Sequence, residues 1–258
     1  MTQSDNALSF IEAVVLPSER IGLEDRTEGE IAPGLRLNQL PDGVVSGNTL
    51  IDYSSVSSPE LRSGISLAML FAGQAATAAM KEGDDEDDWL AAYKTNLAKL
   101  GFSVAQSAVT TSHFRKQGVF VHQAIIPFLT IAFGAATLGP VILAALSNLH
   151  DMDKDKPWVK LFDRESRRFQ SRELFFAAVS SDAVNTSIRH VMARLQYVSD
   201  STNILFFEIT QAQADFESAT TTMTANNSLL AVLEPVLRKK MEAAMFNFIA
   251  DVTLPAGA

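Results

Sequence analysis

Histidine, cysteine, serine and clustered carboxylates are the residues that carry most protein chemistry, and here they are arranged sparsely. Four histidines occur, His113, His122, His150 and His190, and no two have the H-x-x-x-H spacing that puts two imidazoles on one helix face for a metal. Cysteine is absent, which excludes a thiol nucleophile, a disulfide framework and Cys-based zinc or iron–sulfur sites. There is no G-x-S-x-G elbow. The nearest text, Ser63-Gly64-Ile65-Ser66, falls inside an expected helix. No glycine loop of the phosphate-cradling kinds is present.

Two acidic stretches invite a calcium reading. Glu82–Asp88 holds six carboxylates in seven positions. Acidic residues leading into a helix N-terminus have an ordinary cause in the helix dipole and in solubility. Asp151-Met152-Asp153-Lys154-Asp155 begins like a calcium loop, but lacks the glycine at position six and the glutamate at position twelve. The expectation is therefore no metal, no cofactor and no catalytic residue. A Ser/His/Asp site assembled from distant positions is the enzymatic alternative, a hydrolase, with His190 the histidine to test first. The simpler expectation for His190 is a polar residue on the solvent face of a strand.

The chain has 258 residues, 47% of them hydrophobic and 20% charged, with a net charge of −9. A chain of this size buries roughly 70–75% of its unfolded surface and needs no metal or disulfide to hold a core. The acidic balance and the lack of a basic run argue against nucleic acid as a partner. The start, MTQSDNALSF, has neither a basic n-region nor an apolar h-region, so no Sec signal is expected.

The elements that would position a site follow from pattern. SFIEAVVL (9–16) is short, apolar and strand-like, 17–48 reads mainly as loop, and GNTLIDYSSV (47–56) as a short strand. Ser57 or Ser58, Pro59 and Glu60 open a helix that stops near Glu82-Gly83. A second helix runs from the acidic block to Gly101, which has the place of a left-handed C-terminal cap. Residues 102–114 read as a strand. A charged connector carries the anchors Trp158, Leu161 and Phe162. Residues 173–181, 188–199 and 203–225 read as three long strands in an antiparallel meander, and 228–252 as a C-terminal helix kinked or restarted at Pro235. In the second of these strands Val191, Ala193, Leu195 and Tyr197 face one way, and His190, Arg194 and Gln196 the other. No internal repeat or second core is visible, so one domain over 1–258 is expected: a mixed segment to 57, a core over 58–225 and a C-terminal helix over 226–258 that is either a cap or a segment removed on activation.

From Gly118 to Leu149 the chain carries no Lys, Arg, Asp or Glu. By length this passes the transmembrane test of ~18–20 apolar residues. Pro127, Gly134, Gly139 and Pro140 divide it, however, and predict two helices near 119–134 and 140–150. At 1.5 Å per residue each spans about 17–24 Å, short of the ~30 Å hydrocarbon core. The pattern predicts a helical hairpin buried in a soluble fold; a hairpin that is buried in water and meets lipid after a conformational change is the alternative, ahead of a constitutive membrane span.

This order of elements resembles the Cyt family of bacterial cytolytic delta-endotoxins and the fungal cytolysins of the same fold. The resemblance covers about residues 58–225. It rests on the helix pair 58–81 and 85–100, the strand 102–114, the uncharged pair 119–150 and the Trp158 connector. The text ELFFAAVSSD and NILFFEITQAQADFESATTTM, with its core Leu205-Phe206-Phe207-Glu208-Ile209, carries the rest. The resemblance implies an α/β fold of one domain, with a central antiparallel sheet of long strands covered by two layers of helical hairpins. It implies a cytolytic toxin or virulence factor that binds the phospholipid membrane of a target cell without a receptor and permeabilises it through strand insertion and self-oligomerisation. It further implies activation by a protease, no catalytic residue, and release of a soluble protein that acts extracellularly. The membrane-interacting positions expected on the long strands are Phe175, Val179, Leu195, Tyr197, Leu205, Phe207 and Ile209. Those on the hairpin are Ile125, Phe128, Ile131, Phe133, Val141 and Leu143. A lipid-binding virulence protein that forms no pore is the alternative of the same fold.

Overall fold

The structure is a computed structural model and describes residues 2–16, 34–114, 118–134, 138–166, 172–195, 208–209, 214–243 and 245–254. Its centre is a seven-stranded sheet. In chain order the strands are β1 (Gly43–Ser46), β2 (Thr49–Ser55), β3 (Ser103–Phe114), β5 (Arg172–Ser181), β6 (Asn185–Leu195), β8 (Ala214–Asn226) and β9 (Ile249–Asp251). They lie in the order β3-β8-β6-β5-β2-β1-β9. Two further short strands, β4 (Val119–Phe120) and β7 (Glu208–Ile209), pair separately. The three-strand meander is present as β5, β6 and β8, each antiparallel to the next. One pair departs from the all-antiparallel expectation. β2 runs parallel to β5, with Leu50 opposite Phe176 and Asp52 opposite Ala178.

Helices cover both faces, as expected. On one face lie α1 (Gln3–Ala13), α2 (Pro59–Ala79), α3 (Glu86–Lys99) and α7 (Asn227–Met241). They bury Ile11, Phe71, Trp89, Leu97 and Leu237 with Ile51, Phe175, Ile188 and Met223 of the sheet. On the other lie α4 (Val121–Phe133), α5 (Pro140–Ser147) and α6 (Pro157–Ser166). These bury Ile125, Leu129, Ile142, Trp158 and Phe162 with Leu50, Phe176 and Val191. Alternation along each strand divides the residues between the two cores. Phe175 enters the first and Phe176 the second.

The helix ends follow local chemistry. The Ser58 side chain accepts from the Leu61 amide, and Pro59 occupies the first turn. Asp85 and Asp88 form a capping box at the start of α3, which gives most of the acidic block a structural role. Gly101 has φ +93°, the left-handed value that favours glycine.

Three expectations are corrected. Residues 9–13 are the end of helix α1, not a strand. Thr2 and Asp5 make a capping box that starts it, and an apolar run this short has no decisive period. The connector anchors Trp158, Leu161 and Phe162 lie on a helix, α6, spaced so that all three are buried. The C-terminal segment is not one helix to 252. α7 runs through Pro235 without restarting and ends at Met241. A short helix α8 (Met245–Phe248) follows, and then β9 pairs with β1.

Candidate functional site

The α4–α5 hairpin lies over the sheet with its inner side in the second core. Ile125, Phe128 and Phe133 are buried there, and Val141 is half-buried against the same cluster. Ile131 and Leu143 point outward, 76% and 41% exposed. Gln123, Pro127, Pro140 and Ser147 share that exposed side. The outward side of the described hairpin is thus uncharged and partly apolar, in a chain of net charge −9. Among the described residues, no helix is long and apolar enough to cross a membrane.

The sheet supplies the charge that the hairpin lacks. Asp52 on β2 is 2% exposed. Its Oδ2 accepts from the Val141 amide at 2.7 Å and the Ile142 amide at 3.4 Å. These are the first amides α5 has to offer, because Pro140 has no N–H. Gly139, at the N-cap, has no side chain to cap them. A β-carbon there would fall 2.7 Å from that of Asp52 and closer still to its carboxylate. Glycine at 139 is required by this close approach, since its φ of −60° suits any residue.

Arg189 on β6 answers at the other helix end. Its Nη2 donates to the Ala132 carbonyl at 3.1 Å, in the last turn of α4, where α4 has no basic residue of its own. A carboxylate at a helix N-terminus and a cation at a C-terminus both complement the helix dipole. Asp52 pairs with Ala178, and Ala178 with Arg189, so the two charges sit in one cross-strand row. No local pattern marks either residue.

A second polar cluster lies on the opposite face, under α3. His190 is 3% exposed, which corrects its expected place on a solvent face. Its ring stacks on Phe175 at 5.3 Å and meets Tyr93 at 5.9 Å, and Tyr93 stacks on Trp89. His190 Nε2 and the Tyr93 hydroxyl are buried without a hydrogen-bond partner among the described residues. Burial, with Lys94 nearby, pushes the imidazole down to about 3, and burial pushes the Tyr93 phenol up. Four residues along β6 on the same side, Arg194 binds Glu173 at 2.8 Å and Asp87 of α3 at 2.7 Å. Burial works against the Arg194 charge, but Asp87 and Glu173 outweigh it and hold its pKa up. Burial also raises Glu173 despite the Arg194 contact. This histidine is buried and packed between rings. Alternation along β6 is real, but both faces are covered, so a polar residue gains no solvent by turning from the first core to the second.

The remaining expected positions are distributed as follows. Phe175 and Val179 are buried in the first core. Leu195 pairs with Arg172 and Phe216 at the end of β6. Ile209 pairs with Val119 in the two-stranded ribbon. Tyr197, Leu205 and Phe207 lie outside the described residues. Among the described residues, no group of three or more His, Asp or Glu side chains is placed to hold a metal ion.

No family model matches the chain, and no curated protein does. Two solved structures are similar in chain path. A delta-endotoxin is 10% identical with a TM-score of 0.40, over 76% of this chain and 86% of its own. The Evf virulence factor is 15% identical with a TM-score of 0.41, over 82% and 84%.

Proposed function

We propose that this protein is a membrane-active toxin or virulence factor that binds phospholipid bilayers directly and permeabilises them. One observation carries the reading: the α4–α5 hairpin shows water an uncharged side bearing Ile131 and Leu143. A charge-free surface loses little on entering a neutral bilayer, whereas each Lys, Arg or Asp at its centre costs about 2.5–3.5 kcal/mol or more. Lipid tails are as apolar as the core the hairpin now faces, so its apolar inner side chains lose little by the exchange. The net charge of −9 favours zwitterionic over anionic lipid.

Permeabilisation would then fall to the strands. β3, β6 and β8 have 12, 11 and 13 residues. About 9–11 residues span a bilayer when tilted. A closed assembly of several copies would satisfy their backbone groups. This reading assigns no catalytic residue and no cofactor. The second reading is a lipid-binding protein without a pore. It is favoured by the lengths of α4 and α5, 13 and 8 residues, which suit lying in the interface rather than crossing it.

The test is dye release from unsaturated phosphatidylcholine liposomes, before and after light trypsin treatment, with flotation of the same samples. Leakage at sub-micromolar protein is expected. Flotation without leakage would select the second reading. Folded protein that neither floats nor causes leakage would overturn both.

A further inference from the structure

We propose that Asp52 and Arg189 are a two-point clamp that keeps the tip of the α4–α5 hairpin docked, and that its release frees the hairpin while the sheet stays folded. The biological meaning of the clamp rests on the lipid-binding reading of the hairpin. The clamp itself is a property of the protein in water.

The geometry is specific. The two charges occupy one row across β2, β5 and β6, with Ala178 between them. They grip the hairpin on either side of its turn. Asp52 takes the first amides of α5, and Arg189 the carbonyl of Ala132 near the end of α4. Neither helix end has a side-chain cap or charge of its own. Gly139 keeps open the space that the carboxylate fills.

Selectivity is what makes this a clamp rather than two more contacts. In water the buried apolar side of the hairpin favours docking, but it does not distinguish a protein core from hydrocarbon, so it sets little preference between the docked and the lipid-bound states. A hydrogen bond to a charge on β2 or β6 exists only in the docked state. Only interactions that differ between two states shift their balance. Asp52 and Arg189 therefore add to burial in water and bias the docked state over the lipid-bound one, and any partner that draws the hairpin away must first break them. Because both hold the same turn, loss of one weakens the grip for the other, and the two act as a unit.

The experiment is hydrogen exchange by mass spectrometry on the full chain in water, without lipid. The variants are Asp52→Asn, Arg189→Met, Gly139→Ala and the Asp52→Asn/Arg189→Met double. Each single variant is expected to speed amide exchange in 121–133 and 140–147 at least tenfold, with β5, β6, β8, α2 and α7 unchanged. The double is expected to add less than the product of the two. Unchanged hairpin exchange in the folded single variants would overturn the proposal. So would loss of protection in all elements together, in Asp52→Asn as well as the harsher Gly139→Ala. A lipid arm separates this result from the function. Variants with a faster-exchanging hairpin are expected to float with phosphatidylcholine vesicles sooner than the native chain. A freed hairpin that ignores the vesicles would leave the clamp standing and remove the lipid-binding reading.

Discussion

The Asp52 carboxylate accepts a hydrogen bond from the Val141 amide at 2.7 Å across 89 positions of sequence. Asp52 sits in the buried run Thr49–Tyr53 of β2, and it spends its charge on the end of a helix rather than on a cation. An aspartate so placed stabilises as an N-cap does, by about 0.5–2 kcal/mol.

Gly139→Ala tests this contact from the helix side. The added methyl enters the space of the Asp52 side chain, and overpacking of this kind costs about 1–3 kcal/mol. The urea midpoint should fall accordingly. A midpoint equal to the native one would mean that the carboxylate sits elsewhere.

Ile131→Glu and Leu143→Glu test the outward side of the hairpin. Both residues are exposed, so folding stability should stay within about 0.5 kcal/mol. Vesicle binding should weaken at least tenfold, which is about 1.4 kcal/mol. Flotation at native strength by both variants would show that lipid meets another surface.

His190 makes the fold acid-sensitive. Its pKa is held near 3 in the folded chain against about 6.5 when unfolded. The unfolded state therefore binds more protons between those values. Stability from this group is complete above about pH 6.5 and is lost as pH falls below it, by about 1.4 kcal/mol per unit. Glu173, raised by burial, works in the opposite sense. Between pH 7 and 5 the native chain should lose about 2 kcal/mol more than His190→Phe, which keeps a ring against Phe175 and does not titrate. Parallel urea midpoints for the two proteins across that range would refute the assignment.

Arg194→Met should destabilise by about 3 kcal/mol, because it leaves the Glu173 carboxylate, 4% exposed, without its cation. Adding Glu173→Gln to that variant should restore part of the loss. No recovery in the double would mean that Arg194 acts through Asp87 instead.

A chain ending at Asn226 should not fold. It lacks α7, whose Leu233, Leu237 and Met241 are fully buried, and β9, which borders β1. Each large apolar side chain removed from a core costs about 2–5 kcal/mol, so losing three costs about as much as the whole ~5–15 kcal/mol stability of a typical domain. A cooperative thermal transition in the truncated protein would contradict this.

Much of the fold was legible along the chain because its signals are local. Ser58-Pro59, Asp85 and Gly101 mark helix ends through bonds that reach three or four residues. Gly139-Pro140 divides the uncharged run where α5 begins, and strand alternation separates Phe175 from Phe176. Elements too short for a period escaped: β9 has three residues and carries no pattern of its own. α1 was hidden by a dense apolar run, although Thr2 and Asp5 had the type and spacing of a capping box.

The site divides the same way. Sequence alone determined that 118–149 carries no charge and forms two helices too short to cross a bilayer, because composition and helix length are properties of a segment. Tertiary structure alone decided which side of that hairpin meets water. It also placed Asp52 and Arg189 in one row beneath the hairpin turn, and set His190 among rings rather than in solvent. Each of these depends on residues brought together from separate elements and on strand order and register, and the Asp52–Arg189 row also on the parallel β2–β5 pair. None of these has a local signature, since a strand written in sequence does not say which neighbour it takes or which layer covers it.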